Sequence, residues 1–209
     1  MSKNYLILTI VLSIFFSGCE KDKSKSTLPK HSSFKLSGNY EVNGITSRID
    51  WSGEKIAYGH NGTLMLKKGI IKVDLDGNIF GDFEIDMQTI NVISLEGRKK
   101  NSLEGHLKAD DFFGVEKFPR AYIKFNFNKS KIINDAAEID ADLTIKNITH
   151  PVNFKATIVE YEPKLKIVAG IVFDRSKYDV KFGSGKFFQN LGDKLILDEV
   201  NVNAYLNFN

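Results

Sequence analysis

The sequence predicts an all-β protein in which eight antiparallel strands close into a barrel around an apolar interior, with one short helical insertion. From about residue 34 onward, apolar and polar residues alternate with a period of two, the pattern of strands with one dry and one wet face. Turn signals separate the alternating segments. Phe and Gly are abundant, at 16 each, which suits a curved sheet whose interior is filled by aromatic rings.

Five segments show the alternation most clearly. In AYIKFNFN (121–128), Ala121, Ile123, Phe125 and Phe127 share one face. The other segments are 79–87, 139–146, 152–159 and 199–208. The turn signals between strands are DLDGN (74–78), INDA (133–136) and YEPK (161–164).

Residues 88–118 break the alternation, and we interpret them as the helical insertion. Leu103 and Leu107 lie four residues apart in NSLEGHLK, and Asn101 or Ser102 is a suitable N-cap. Pro119 then returns the chain to an extended conformation.

Either a sandwich or a barrel would bury the dry faces of these strands. An eight-stranded barrel is wide enough to hold one ligand when its side chains leave the interior unfilled. A transmembrane barrel fits less well, because wet-face charges such as Lys124, Asp140 and Lys155 would then face lipid. The sequence therefore favours a soluble barrel.

The first residues, 1–18, predict a lipoprotein signal peptide. Lys3 precedes an apolar run over 5–16 that is too short to span a hydrocarbon core of about 30 Å. FSGC (16–19) resembles a lipobox, in which cleavage precedes the cysteine and its thiol receives a diacylglycerol. An ordinary signal peptide with an accidental cysteine is the alternative.

Cys19 is the only cysteine, so no internal disulfide is expected. Residues 19–34 are charged and aperiodic, which predicts a flexible tether before a barrel domain over 35–209. We expect a secreted protein of the bacterial cell envelope, anchored to a membrane by the lipid on its periplasmic side or at the cell surface. The small net charge of +3, without a basic stripe, argues against nucleic acid as a partner.

Several stretches together resemble the YceI-like, polyisoprenoid-binding family. They are IDWSGEKIAYGHNGTLMLKKG (49–69), FEIDMQTI (83–90), LEGHLKADDFFGVEKFPRA (103–121), ADLTIKNITHPVNF (141–154) and FDRSKYDVKFGSGKFF (173–188). The resemblance covers about 40–208 and implies a lipocalin-like barrel with a helix near one end, a long isoprenoid or similar lipid in its lumen, and secretion. Asn147 stands where the family often has Gly, and Asn tolerates a positive φ.

Two groups of residues are predicted to bind the apolar part of such a ligand. Leu107, Phe112 and Phe113 are expected to close or gate a barrel mouth, although ordinary packing would explain them too. Phe83 and Phe125 belong to the dry faces of strands. FGSGKFFQN (182–190) is interpreted as a rim loop that forms a lid or touches a membrane.

A second set of residues offers polar contacts to a lipid head group. His60 lies between two glycines, and with Trp51 nearby it would face the ligand; a structural histidine is the alternative. Arg175 is expected to lie in a strand beside Tyr178 and to point inward. A buried charge needs a partner, which Asp174 or Asp179 could supply, and a structural ion pair without a ligand contact is the alternative.

Other functions are weaker alternatives on this sequence. A hydrolase would use His60 or His106 with nearby acids, but Glu104 and His106 cannot share a helix face. The histidines lack metal-ligand spacing, so we expect no metal, no catalytic residue and no cofactor other than a bound lipid. A structural or adhesive surface lipoprotein with a packed barrel is the remaining alternative.

Overall fold

A computed structural model describes residues 35–56 and 58–209. The predictions for the signal peptide, Cys19 and the tether lie outside the described residues. The strands are β1 (Gly38–Glu41), β2 (Arg48–Lys55), β3 (Gly59–Val73), β4 (Asn78–Val92), β5 (Arg120–Asn128), β6 (Ala136–Ile145), β7 (Ile148–Glu160), β8 (Lys166–Asp174) and β9 (Ile196–Asn207). One α-helix, α1 (Gly97–Lys108), joins β4 to β5 in this part of the chain.

The strands β2 to β9 close into an antiparallel barrel of eight strands, which confirms the predicted fold class. The sheet order is β1-β3-β2-β9-β8-β7-β6-β5-β4, and pairing of β3 with β4 closes the ring. The extra strand β1 pairs with the last residues of β3, whereas β2 pairs with its first residues. β1 and β2 therefore pair with successive parts of the same edge of β3.

The strand β4 continues to Val92, so it includes the first five residues of the predicted insertion, 88–92. Its register with β3 shifts between Thr63 and Met65, and the hydroxyl of Thr89 accepts the Met65 N–H at 2.9 Å. Such a bulge moves the buried positions by one residue, here from Met87 to Ile90 and Val92. The alternation therefore breaks inside a strand, and the expected boundary was wrong.

The helix α1 begins at Gly97 with Glu96 as its N-cap, so the predicted cap at Asn101 or Ser102 was wrong. The first turns of α1 are polar and mostly exposed, so they lack the helical spacing of apolar residues from which a helix is recognised in a sequence. Glu104 attaches the helix to the barrel, since its Oε1 accepts the Val92 backbone N–H at 2.8 Å. No helix among the described residues is long and apolar enough to cross a bilayer.

Most predicted turns are confirmed by the strand bounds. Residues 74–77 connect β3 to β4, and Asn134 and Asp135 both have a positive φ before β6. Lys146 and Asn147 join β6 to β7 with φ of 50° and 60°. Two residues with positive φ form the hairpin turn whose twist matches that of the strands, so Asn147 adopts the conformation that the hairpin requires.

The barrel has two distinct ends. The helix end carries the β2–β3 turn, α1 with the residues up to 119, and the long β8–β9 connection over 175–195. The N-terminal end carries Leu36, the 74–77 turn and the β7–β8 turn over 161–165. Lys35 belongs to this second end, because its carbonyl accepts the hydroxyl hydrogen of Tyr161 at 2.9 Å.

Candidate functional site: an apolar cavity along the barrel

A cavity of about 230 Å³ lies inside the barrel. Its wall extends from Leu36, Ile132 and Leu165 at the N-terminal end to Phe112 and Leu197 at the helix end. Every strand from β2 to β9 contributes inward residues, which follows from the period-two alternation. The cavity therefore follows the barrel axis, as a lumen for an elongated molecule would.

The cavity wall is almost entirely hydrocarbon. Among the described residues that line it, only Asp135, Thr157 and Arg175 have charged or hydroxyl-bearing side chains. Water gains few hydrogen bonds against such a wall, so the space favours an apolar occupant.

The two ends of the cavity differ in exposure. Leu36, Ile132 and Leu165 are 6%, 5% and 3% exposed, so they close the N-terminal end. At the helix end, Leu197 lines the cavity and is nonetheless 40% exposed. Leu107 and Phe112 are buried at the same end, so Leu197 is the exposed point of the wall there, and we name the helix end beside Leu197 the mouth of the cavity.

Most of the predicted ligand-binding residues line this cavity. They are Trp51, Phe83, Leu107, Phe112, Phe113, Phe125 and Arg175. The rings of Phe83 and Phe125 stack with centroids 6.1 Å apart, and those of Phe112 and Phe113 meet edge to face at 5.2 Å. His60 and Tyr178 do not belong to the cavity wall.

His60 lies on the outside of the β2–β3 hairpin rather than in the lumen. Its Nδ1 lies 3.1 Å from the Ser94 hydroxyl, and its ring meets that of Tyr58 edge to face. Partial burial, and then the charge of Lys55, lower the pKa of His60 below the ordinary value. These contacts match the structural alternative, and they leave His60 with no path to a ligand in the cavity.

Arg175 lies at the helix end of the cavity and is 1% exposed. It begins a 3₁₀ turn over Arg175–Tyr178 rather than lying within a strand. Its guanidinium donates to four backbone carbonyls at 2.9–3.2 Å, those of Leu197, Val180, Phe182 and Ile196. Burial lowers its pKa, while the charges of Asp198 and Asp174 act in the opposite direction.

The carboxylate that pairs with Arg175 is Asp198, at 3.3 Å, and the expected partners Asp174 and Asp179 were wrong. Asp174 accepts the Ser176 N–H and pairs with Lys186, and Asp179 pairs with Lys146 and Lys181. Four of the five N–H groups of Arg175 therefore donate to backbone carbonyls, and Asp198 balances the charge as an ion pair without a hydrogen bond to its Oδ1. Arg175 thus fastens the β8–β9 connection to β9.

Tyr178 packs beneath the same connection, 1% exposed, against the rings of His150 and Phe173. Its hydroxyl has no hydrogen-bond partner among the described residues. Burial, assisted by the charge of Asp174, raises the pKa of Tyr178 to about 12. Tyr178 is thus a packed core residue and not a ligand contact.

We expect Tyr178→Phe to raise the free energy of unfolding by up to about 1 kcal/mol at neutral pH, because it removes an unpaired buried hydroxyl. In the wild type, this group keeps its proton up to about pH 12 in the folded state but loses it near pH 10 when unfolded. Stability should therefore fall between those values, by about 1.4 kcal/mol per pH unit from this group.

Denaturant unfolding from pH 8 to pH 11 tests this expectation. The free energy of unfolding of Tyr178→Phe should exceed that of the wild type by a margin that widens above pH 10. The exposed control Tyr205→Phe should follow the wild type. A margin that stays constant from pH 8 to pH 11 would contradict a raised pKa of Tyr178 in the folded state.

The polar residues near α1 do not form a catalytic arrangement. Glu104 is bound to the Val92 N–H, and Asp110 pairs with Lys117 at 2.6 Å on the surface. The His106 ring lies between the rings of Phe112 and Phe182, with centroids at 5.6 and 4.3 Å. Within residues 35–56 and 58–209, no group of three or more His, Cys, Asp or Glu residues could hold a metal ion.

Sequence reasoning missed three features of the site. Asp198 carried no signal, because it lies far along the chain from Arg175. Gly53 lines the cavity, and its position in phase with Trp51 on β2 would have indicated it. The Phe182 ring in the exposed β8–β9 connection packs near Phe112, and the neighbouring glycines were the only sequence signal for this contact.

Comparison with known proteins places this barrel in a family. The family model described as YceI-like domain matches residues 28–208.

The chain belongs to the YceI-like family.

The solved structures that resemble this YceI-like barrel share its fold at low sequence identity. Burkholderia cenocepacia BcnA superposes with a TM-score of 0.60 and 15% identity, covering 79% of this chain and 98% of that one. A polyisoprenoid-binding domain from Saccharophagus degradans, implicated in plant cell wall breakdown, gives a TM-score of 0.59 and 12% identity, covering 81% and 97%.

Curated relatives of this YceI-like chain come from Pseudomonas putida. One, named UPF0312 protein, is 28% identical over 134 residues, which are 58% of this chain and 62% of the relative. A second, from another strain, is 27% identical over the same length. The alignment therefore spans less than two thirds of the length of these relatives.

Proposed function

We propose that this protein binds one long apolar molecule of the isoprenoid type in its barrel cavity. The observation that carries the proposal is the cavity of about 230 Å³ with a hydrocarbon wall and a mouth at the helix end. Family membership and the polyisoprenoid-binding domain among the structural neighbours support the same class of ligand.

Apolar contact is the main source of affinity in this proposal. Burying hydrocarbon contributes about 25 cal/mol per Å², so a tail in this lumen is stabilised without polar contacts. Arg175, the one basic residue among the described residues of the wall, already donates to four backbone carbonyls and pairs with Asp198. We therefore propose that the tail, and not a head group, is recognised.

Two alternatives receive less support from the geometry. A packed barrel acting as a rigid spacer does not explain the cavity. A hydrolase would need a nucleophile, a base and an orienting group to converge, whereas His60 and His106 are engaged with Ser94 and with aromatic rings. We propose binding, sequestration or transport rather than catalysis.

The proposed setting is the bacterial cell envelope. Cleavage before Cys19 and acylation of its thiol would hold the barrel at a membrane on the periplasmic side or at the cell surface. Mass spectrometry of the mature N-terminus tests this, since an acylated Cys19 is expected there. An unmodified N-terminus at another residue would refute the anchor and leave the cavity proposal intact.

Filling the cavity tests the binding proposal. Gly53 lines the cavity, and an added Cβ there meets nothing within 4 Å, so Gly53→Phe projects a ring inward. A cavity of about 150 Å³ is enough to hold a benzene ring, so the added ring would take up most of the cavity of about 230 Å³. We expect the amount of isoprenoid recovered by organic extraction, and the affinity for a prenyl alcohol probe, to fall at least about tenfold.

Gly170→Phe is the matched control. Gly170 is exposed on the outer face of β8, and an added Cβ would lie 3.5 Å from Asn203 Oδ1, an ordinary contact. It should retain ligand at the level of the wild type. Equal ligand recovery from both variants, or no hydrophobic molecule in the wild type, would refute lumenal binding.

A further inference from the structure

The helix end of the barrel presents an unusual set of exposed aromatic side chains. We name residues 181–188 the aromatic loop. Its three phenylalanines, Phe182, Phe187 and Phe188, are 42%, 45% and 49% exposed. Ile56 and Tyr58, at the β2–β3 turn of the same end, are 65% and 54% exposed. Large exposed apolar surface at one end of a protein indicates an interaction site.

The fold holds the aromatic loop in this position. Ser184 is fully buried, and its hydroxyl donates to Asp198 Oδ2 at 2.9 Å. The Ser184 carbonyl accepts the N–H groups of Phe187 and Phe188 at 3.2 and 3.1 Å. Lys186 pairs with Asp174 across the loop. The phenylalanines are therefore displayed by a hydrogen-bonded framework instead of packing into the core.

Two lysines without an ion-pair partner lie beside the aromatic loop. Of the five Lys or Arg within 175–195, Arg175, Lys181 and Lys186 pair with Asp198, Asp179 and Asp174, whereas Lys177 and Lys194 have no ion pair among the described contacts. Lys177 and Lys194 are exposed, and the Lys181 ammonium lies 5.5 Å from the centroid of the Phe187 ring. Aromatic rings flanked by lysines suit the boundary of an anionic bilayer, where rings enter the head-group region and lysines meet lipid phosphates.

The aromatic loop is continuous with the cavity. The Phe182 ring lies 6.5 Å from that of Phe112, which lines the lumen. Leu197, another lining residue, is exposed at the same end. The aromatic loop therefore reaches the cavity wall through Phe112, with the His106 ring packed between Phe112 and Phe182.

We propose that the aromatic loop docks the helix end onto an anionic phospholipid bilayer, so that the mouth of the cavity faces the lipid from which its ligand is exchanged. The exchange step rests on the proposed function, whereas the docking step does not. Exposing an apolar tail to water is unfavourable in free energy. Docking would reduce that exposure during transfer of the tail between the bilayer and the cavity.

Vesicle co-sedimentation tests the docking. The protein is prepared as residues 20–209, so that neither the signal peptide nor an acyl chain contributes, and the probes are vesicles of phosphatidylcholine with or without about one third phosphatidylglycerol. We expect stronger binding to the anionic vesicles, weakened by salt. Phe187→Ala with Phe188→Ala should reduce binding to them about tenfold.

Two further variants separate the contributions. Lys177→Glu with Lys194→Glu should remove the preference for anionic vesicles, because both side chains are exposed and have no ion pair among the described contacts. Leu75→Ala with Phe80→Ala removes two exposed apolar side chains near the N-terminal end, at 104% and 42% exposure, and should bind as the wild type does.

Docking is refuted if the wild type leaves both kinds of vesicle unbound, or if the double phenylalanine variant binds anionic vesicles like the wild type while remaining folded. Failure of the proposed function has a different signature. Gly53→Phe should keep vesicle binding while losing ligand. If the wild type binds vesicles but never yields a ligand, the proposed function fails and the docking proposal still holds.

Discussion

Replacing Arg175 with Met is expected to lower the free energy of unfolding by about 3–5 kcal/mol, the range for breaking a buried ion pair from one side. The change leaves four carbonyls without their guanidinium donor and Asp198 without its main cation. Each unpaired buried group retains the penalty of its lost hydration. Urea unfolding followed by circular dichroism gives the measurement.

Arg175→Lys should recover little of this loss, because one ammonium cannot reach carbonyls arranged around a planar fork. Arg48→Met is the matched control, since the Arg48 side chain is 60% exposed and pairs with Asp50 at the surface. It should change stability by less than about 1 kcal/mol. A loss below about 1 kcal/mol for Arg175→Met as well would show that the buried guanidinium does not hold the β8–β9 connection.

The second large effect is expected for Gly62→Ala, which should destabilise the barrel by about 3 kcal/mol, at the upper end for overpacking. A Cβ on Gly62 would lie 1.9 Å from the Asn91 carbonyl oxygen and 2.6 Å from Cζ2 of Trp51. The first of these atoms is backbone, so the β3–β4 ladder itself must move. Thermal and urea unfolding should both report the loss.

Gly53→Ala is the control for that experiment. Gly53 lies on β2 in the same hairpin, opposite His60, and an added Cβ there meets nothing within 4 Å. Its stability should equal or slightly exceed that of the wild type, since Ala restricts the unfolded chain. Similar losses for both alanine variants would mean that contact with Trp51 and Asn91 is not the cause.

The strands of the barrel were predictable because a half-buried strand has apolar residues at alternate positions of its sequence. The face of Ala121, Ile123, Phe125 and Phe127 in β5 is an example. The end of β4 was not predictable in this way, because a bulge shifts the buried positions by one residue. The apolar–polar alternation is then interrupted although the strand continues. The start of α1 was missed because its first turns pack no apolar side chain.

The sequence predicted the position in the cavity wall of residues whose placement follows from the strand face alone. Phe83 and Phe125 line the cavity because inward strand positions must do so. The burial of Arg175 was expected, but its partner was not, because the fold, and not the local sequence, brings Asp198 to it. His60 failed for a related reason, since glycines on both sides do not show to which face of a strand a ring points.

Lys35, the first described residue, lies at the N-terminal end, opposite the aromatic loop. Fully extended, a segment as long as residues 19–34 would reach about 55 Å. Tilted strands of this length give a barrel about 35 Å tall. Under the proposed acylation of Cys19, one bilayer would hold both the acyl chain and the aromatic loop only with this segment running back along the barrel wall, so the length of the segment would set which way the mouth can face.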